Sequence, residues 1–341
     1  MWTSDFGYYL PKKRIAQSPA EPRDSSRLTV VDRKSQTVQH RRFTDILDYL
    51  TKGDVLAFND SKVIPARLYA TAGSGSKIEL MLLSKLENEL WKVLVKPGRR
   101  VRKGDHFTVS TRSGAEMSGS IEQVQPDGTR IVRINGEENI PIHGVIPLPP
   151  YIKDRGIDPD RYQTIYAKEE GSIAAPTAGL HFTKKLMSSI KEKVCEILFV
   201  TLHVGWDSFR EVREENPTNH EMHSEFWELS DECSSILTRV KCEGRKITSI
   251  GTTATRLLEY ASQKKAGLPL VGDSGWADIF ITPGYKFQIV DQLVTNFHLP
   301  KSSLLMLVSA FAGREFILES YQEGIKEDYK FYSFGDAMLI L

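Results

Sequence analysis

Between about residues 70 and 146 the chain reads as a series of short apolar runs, KIELMLL, LWKVLVK, DHFTVST, SGSIEQV and TRIVRIN. Turn signals separate them: Gly73-Ser74-Gly75, Pro97-Gly98, Pro126-Asp127-Gly128 and Asn135-Gly136. Glycine supplies the positive φ and proline the preset φ that tight turns demand. No 3.6-residue apolar period survives there, so the stretch predicts a small β-barrel or meander. Ser74-Gly75-Ser76 lacks the Gly-Lys-Ser/Thr ending of a phosphate loop and reads as a hairpin turn.

The flanks have another character. Residues 53–68, GDVLAFNDSKVIPARL, read as a buried strand that breaks at Asn59-Asp60-Ser61 and resumes after Pro65. Residues 147–152, PLPPYI, form a stiff extended connector. Beyond it helices and strands alternate. Leu186, Ile190 and Val194 recur at helical spacing and precede ILFVTLHV. A helix near 231–243 leads to ITSIGTT and TRLLEYASQKK, and Ser302 and Ser303 open a helix that stops near Gly313. Such alternation predicts an α/β sheet or barrel. The first 67 residues hold too little to fold alone. The expectation is therefore an α/β barrel-like body built from residues 1–68 and 150–341, with an inserted all-β barrel domain at 69–149.

Composition excludes several classes. With 341 residues, 40% apolar and 26% charged, the chain is ordinary for a globular protein, and a formal charge of +1 excludes a strongly basic nucleic-acid coat. Cys195, Cys233 and Cys242 form no CxxC, which predicts reduced thiols, a cytoplasmic location and no zinc ribbon. The N-terminus lacks a signal-peptide stretch, and the longest apolar candidate for a span, 304–308, is far too short to cross a bilayer.

Four segments concentrate chemistry: AAPTAGLHF (174–182), VTLHVG (200–205), HEMHSE (220–225) and VTNFHLP (294–300). Each sets a histidine beside Gly, Pro or a hydroxyl where an apolar run stops, the composition of functional loops. Imidazoles titrate near neutral pH and serve as acid or base. His220-x-x-His223 with Glu225 also has a spacing compatible with zinc. His40 and His143 fall in polar stretches and read as solvated. GTTATR (251–256), between a predicted strand and a predicted helix, suits an anion at free backbone N–H groups. The run KPGRRVRKGD carries Lys96, Arg99, Arg100, Arg102 and Lys103, either a solvated tip or a phosphate-contacting surface; Lys12, Lys13 and Arg14 form a weaker cluster.

These residues, with DFGYYLP (5–11), SSRL (25–28), PLPPYI, RYQTIYAKEEGSIAAPTAGLHFT (161–183), PGYKF (283–287), VDQLVTNFHLPKSSLLMLVSAFAG (290–313) and YSFGDAMLI (332–340), make the chain resemble the S-adenosylmethionine:tRNA ribosyltransferase-isomerase family of queuosine biosynthesis. The resemblance runs nearly end to end and is loosest in the β module. It implies a metal-free enzyme with S-adenosylmethionine as co-substrate. The ribosyl moiety would be transferred and isomerised onto 7-aminomethyl-7-deazaguanine at the tRNA wobble position, giving epoxyqueuosine, adenine and methionine.

Under that reading a base must remove a C5′ proton acidified by the sulfonium. His203 or His181 is the first candidate, with Asp60 and Glu225 behind them and His223 completing the catalytic set. Pro176, Thr177, Gly179, Gly251, Thr252, Thr253, Arg256, Asn296 and His298 are expected to bind S-adenosylmethionine, Arg256 and the 251–253 turn taking its carboxylate. The basic run would hold tRNA, and no membrane is implied. Three positions depart from the family's usual residues: Gly205-Trp206-Asp207-Ser208-Phe209 replaces a loop of smaller residues, Lys62 stands where Arg is usual, and Ala254-Thr255 replaces Ser-Val. The alternatives are a tRNA-binding relative without catalysis and a metal-dependent hydrolase using the histidines.

Overall fold

In the runs VLAFN, ITSI and QLVTN every residue is buried, the pattern of strands covered on both faces. They form the centre of the largest sheet. The computed structural model describes residues 1–110, 117–153, 156–193, 195–206, 211–264 and 267–341. Val194, Thr111 and Asp207-Ser208-Phe209, on which the sequence raised expectations, lie outside them.

The strands considered are, in chain order, β1 (Arg27–Asp32), β2 (Thr37–Arg42), β3 (Val55–Asn59), β4 (Arg67–Ala72), β5 (Lys77–Glu87), β6 (Leu90–Lys96), β7 (His106–Val109) and β8 (Ser118–Val124). There follow β9 (Arg130–Asn135), β10 (Glu196–Leu202), β11 (Glu225–Leu229), β12 (Ile247–Ile250), β13 (Asp273–Ala277), β14 (Gln292–Asn296) and β15 (Ala337–Ile340). The longer helices are α1 (Lys184–Glu192), α2 (Asp231–Cys242), α3 (Thr252–Lys264), α4 (Ser303–Ala312) and α5 (Arg314–Lys326).

The chain divides into two compact units: Met1–Lys62 with Pro149–Glu169 and Ala175–Leu341, and Val63–Leu148 with Glu170–Ala174. The first unit is built on a nine-stranded mixed sheet, in the order β13-β11-β10-β3-β12-β14-β15-β1-β2 among the described residues. The run β10, β3, β12, β14 is parallel throughout. Their carboxyl ends therefore point one way, and the turns that follow them gather along one edge, where ligand sites form in sheets of this kind. Side-chain oxygens start the helices: Thr183 caps α1, Ser230 caps α2 and Ser302 caps α4, accepting the N–H groups of Leu186, Cys233 and Leu305 respectively. One face of the sheet buries Phe43, Phe58, Phe182, Leu186 and Ile190 against Leu28, Ile250 and Val294.

The second unit is a closed antiparallel barrel of six strands, β9-β6-β5-β4-β7-β8. Its additional strand, β4, takes its first two residues, Arg67 and Leu68, from the segment after Pro65 that the sequence reading attached to the body. The observed boundary falls at 62/63 rather than 68/69, and Glu170–Ala174 sits with this unit, because the Ile64 N–H donates to the Ser172 carbonyl at 2.9 Å. His143 is a correction: it is buried, not solvated. The helical turn Ile140–His143 folds it inward together with Ile140.

The barrel interior is tight at one glycine. A Cβ on Gly119 would lie 2.1 Å from the Arg133 carbonyl oxygen and 2.5 Å from Phe107 Cζ, whereas one on Gly73 meets nothing nearer than 3.7 Å. Gly119→Ala should destabilise the protein by about 1–3 kcal/mol through overpacking. Gly73→Ala should be close to neutral. Thermal and urea unfolding of the full chain with a barrel probe at Trp91 checks both.

Candidate active site

The turns after β10, β12 and β14 converge with residues 175–178 on an open cavity. Its wall includes Pro176, Thr177, Gly251, Thr252, Thr253, Arg256, Asn296 and His298. Segments 174–182 and 251–256, distant in sequence, thus meet at the carboxyl ends of the parallel strands.

One side of this cavity is built for a negative charge. Gly251 takes φ +96, a left-handed conformation that glycine adopts freely, and turns the chain from β12 straight into α3. The first N–H groups of a helix have no intrahelical acceptors and carry the positive end of its dipole. Beside them Thr253 Oγ1 is buried and has no hydrogen-bond partner. Arg256, one turn on, pairs through Nη1 with Glu225 Oε2 and donates Nε to the Ile279 carbonyl at 3.3 Å. Its Nη2 is buried and left without a partner.

A second group of bonds fixes Asn296. Its Oδ1 accepts from Thr177 Oγ1 at 2.8 Å, and its Nδ2 donates to His181 Nε2 at 3.1 Å. His181 Nδ1 in turn meets Ser26 Oγ at 2.8 Å, and the ring packs 4.9 Å from Phe43. Both imidazole nitrogens are engaged, and burial, aided by the Arg23 charge, pushes the pKa down to about 4. His181 is absent from the cavity wall and holds the Asn296 side-chain amide from behind it. Gly179, expected to touch ligand, also lies behind the wall: a Cβ there would fall 1.9 Å from the Tyr166 hydroxyl, so glycine is needed for close packing.

The remaining sequence candidates for catalysis also lie outside the lining. Glu225 is 5% exposed and holds two site elements, pairing with Arg256 and accepting the Gly205 N–H at 2.9 Å. His203 precedes Val204, which does line the cavity; its own ring stacks 5.6 Å from Phe226. Asp60 accepts from Thr201 Oγ1 at 2.7 Å, and burial raises its pKa. His223 is exposed. His220 bonds Glu214 at 2.7 Å and meets Phe280 edge-on. The His220/His223/Glu225 spacing does not converge, and among the described residues no group of three or more His, Cys, Asp and Glu could hold a metal ion.

His298 is the imidazole that does line the cavity. Its Nε2 meets Thr295 Oγ1 at 2.8 Å, and burial pushes its pKa down to about 3. Sequence reasoning did not single out Tyr151, Tyr332 and Ser333, which also line it. The Tyr151 hydroxyl meets Ser333 Oγ at 2.6 Å, and the rings of Tyr151 and Tyr332 lie 4.8 Å apart. Their only sequence signal was membership of the PLPPYI and YSFGDAMLI segments. In the barrel unit Lys96, Arg99, Arg100, Arg102 and Lys103 are all exposed, and Arg130 Nη2 braces their loop through the Gly98 carbonyl at 2.8 Å.

Two buried neutral histidines make stability depend on pH. In the unfolded chain both titrate near 6.5, while in the folded protein they resist protonation down to about 4 for His181 and about 3 for His298. Their stabilising effect is complete above pH 6.5 and is lost as pH falls toward those folded values. Each contributes up to about 1.4 kcal/mol per pH unit in that window. Urea midpoints of the wild type should fall between pH 6.5 and 5, and those of the His181→Asn/His298→Asn double variant should fall less steeply.

Comparison with known proteins places this geometry. The family model described as queuosine biosynthesis protein matches residues 3–340. A curated relative from Staphylococcus haemolyticus, named S-adenosylmethionine:tRNA ribosyltransferase-isomerase, is 48% identical over 346 aligned positions covering 100% of both chains. One of the same name from Moorella thermoacetica is 47% identical over 347, again covering 100% of both. The crystal structure of S-adenosylmethionine tRNA ribosyltransferase from Thermotoga maritima is 39% identical, with 99% of this chain and 100% of that one covered at a TM-score of 0.57. With its whole length matched, and with both a six-stranded barrel and a large mixed sheet, the chain belongs to the queuosine biosynthesis protein family.

Proposed function

We propose that this chain is an S-adenosylmethionine:tRNA ribosyltransferase-isomerase whose S-adenosylmethionine site is the cavity at the strand ends. The observation that carries the reading is the pair of buried, unpartnered donors, Arg256 Nη2 and Thr253 Oγ1, beside the start of α3. A polar group buried without a partner costs about 1–3 kcal/mol, and a carboxylate seated there relieves it. The methionine carboxylate is such a group. Tyr151 and Tyr332, also in the wall, offer an aromatic surface to adenine.

The ribosyl moiety then lies near Asn296 and His298. The sulfonium acidifies the C5′ protons, and the His298 imidazole, standing in the cavity wall, is the group placed to accept one. Asn296 holds its orientation through Thr177 and His181. The acceptor is 7-aminomethyl-7-deazaguanine at the wobble position of tRNA, and the products are epoxyqueuosine, adenine and methionine. A tRNA substrate puts the reaction in the cytoplasm; no helix among the described residues is long and apolar enough to cross a membrane. The exposed cluster Lys96, Arg99, Arg100, Arg102 and Lys103 has no acidic partner among the described residues and grips tRNA phosphates.

Mass spectrometry of tRNA carrying the aminomethyl base, after incubation with the protein and S-adenosylmethionine, tests the reading: absence of epoxyqueuosine against a working control rejects it. Arg256→Lys keeps the charge but loses the planar fork. It should weaken S-adenosylmethionine binding about 10- to 100-fold in calorimetry, since hydrogen bonds to charged groups contribute about 1.5–3 kcal/mol.

His298→Ala should lower kcat by about 10²–10⁴ with little change in S-adenosylmethionine affinity. His181→Ala should instead raise KM for S-adenosylmethionine, because it acts through Asn296; equal kcat losses in both variants would remove the distinction. Replacing Arg99, Arg100 and Arg102 together should weaken tRNA binding and flatten its salt dependence, by up to roughly 0.9 in log–log slope for each phosphate no longer neutralised. An unchanged slope would leave the cluster a solvated tip.

A further inference from the structure

We propose that the sheet face formed by His203, Phe226 and Trp276, beside Asp60, Glu169 and Glu228, receives the acceptor base of the tRNA: an aromatic ring bearing a cationic aminomethyl group. The assignment rests on the tRNA-modifying reading and adds to it a second subsite, outside the cavity.

The face follows from strand register. Phe226 of β11 stands opposite Trp276 of β13, and Glu228 opposite Ser274. On the other side Thr201 of β10 stands opposite Glu228, and the His203 N–H donates to the Phe226 carbonyl at 2.8 Å. Residues two apart on a strand share a face. One row is therefore His203, Phe226 and Trp276, and the next is Thr201, Glu228 and Ser274, on the same side. In the first row the imidazole stacks on Phe226 at 22°, and Phe226 meets Trp276 edge-on at 5.9 Å. Trp276, on the edge strand, is 57% exposed. A large indole on an open edge next to two further rings presents the platform on which unstacked bases lie.

The second row states which base. Asp60 is tied into it through Thr201 Oγ1 at 2.7 Å, and its carbonyl accepts the N–H groups of Lys168 and Glu169 at 2.8 and 3.3 Å. Three carboxylates, Asp60, Glu169 and Glu228, flank the rings, with the Lys168 ammonium paired to Glu169 at 2.7 Å. Such a surface repels phosphates and favours a ring that carries a positive charge. Burial lowers the His203 pKa and the Glu169 and Glu228 carboxylates oppose it; all three groups thus sense one another. Burial raises the Asp60 pKa, which suits its carboxylate to take a proton from a bound ammonium and leave the neutral amine a nucleophile needs. The face also lies next to the cavity along the chain, since His203 is followed by Val204 in the cavity wall.

The test is binding, not turnover. A fluorescent anticodon stem-loop RNA with 7-aminomethyl-7-deazaguanine at the wobble position is compared with one carrying guanine, by anisotropy, on wild type, Trp276→Ala, Trp276→Phe and Glu228→Gln. Trp276 and Glu228 are exposed, so these variants should fold. Trp276→Ala should weaken the aminomethyl RNA about 5- to 100-fold, the range for removal of one stacking partner. Trp276→Phe should recover most of it, and Glu228→Gln should shrink the preference for the aminomethyl RNA over guanine. S-adenosylmethionine affinity by calorimetry should stay unchanged in all. Wild-type affinity in Trp276→Ala, or equal weakening of both RNAs, overturns the assignment, the latter because the indole would then stack on another part of the RNA. A wild-type protein that makes no epoxyqueuosine would reject the ribosyl-transfer reading, while the two-RNA comparison would still decide the face.

Discussion

A buried ion pair organises the site. Glu225 and Arg256 are each only 5% exposed, and taking two charges out of water costs several kcal/mol per ion. Such a pair is weak as a stabiliser and strong as a constraint, because displacing either partner strands the other. Here it joins three elements: the first strand residue of β11, the second turn of α3, and the loop at Gly205 after β10. With the pair in place the open end of α3 faces the cavity and a second guanidinium nitrogen remains for a ligand. The parallel register of β10, β3, β12 and β14 brings these ends to one edge; the ion pair fixes how they face one another.

The histidines divide their work by burial. His181 and His298 are held neutral by desolvation, and a neutral imidazole offers one donor and one acceptor. His181 spends both on Ser26 and Asn296, which makes it part of the frame. His298 spends one on Thr295 and stands in the wall. His203 belongs to an aromatic row at the edge of the sheet, near carboxylates that the cavity lacks. Three histidines that look equivalent as sequence motifs thus occupy three different environments, and their chemistry follows from the neighbours rather than from the residue type.

Electrostatics separates the surfaces in the same way. A chain with net charge +1 cannot attract a polyanion everywhere. Five exposed cations, Lys96, Arg99, Arg100, Arg102 and Lys103, stand close together at the end of β6 and in the loop after it, while acids collect beside the aromatic row on the body. Phosphate and base would thus meet different chemistry, which is the usual separation of positioning contacts from those that read a base.

Much of this was legible in the linear chain. Turn pairs between alternating runs marked the barrel, because a turn's φ requirements are local. Helical spacing marked α1 and a starting serine marked α4 for the same reason. Of the residues expected to bind S-adenosylmethionine, all but Gly179 line the cavity; they sit where apolar runs stop, which is where parallel strands end. What the sequence could not order was direction and distance. It named His181 and Gly179 without revealing that one is held behind Asn296 and the other packs against Tyr166. It left residues 63–68 with the body, since the hydrogen bond from Ile64 to Ser172 joins residues far apart along the chain. Of the row His203, Phe226, Trp276 the sequence singled out only His203: its members come from three separate segments, and only the antiparallel register of the sheet edge brings them onto one face.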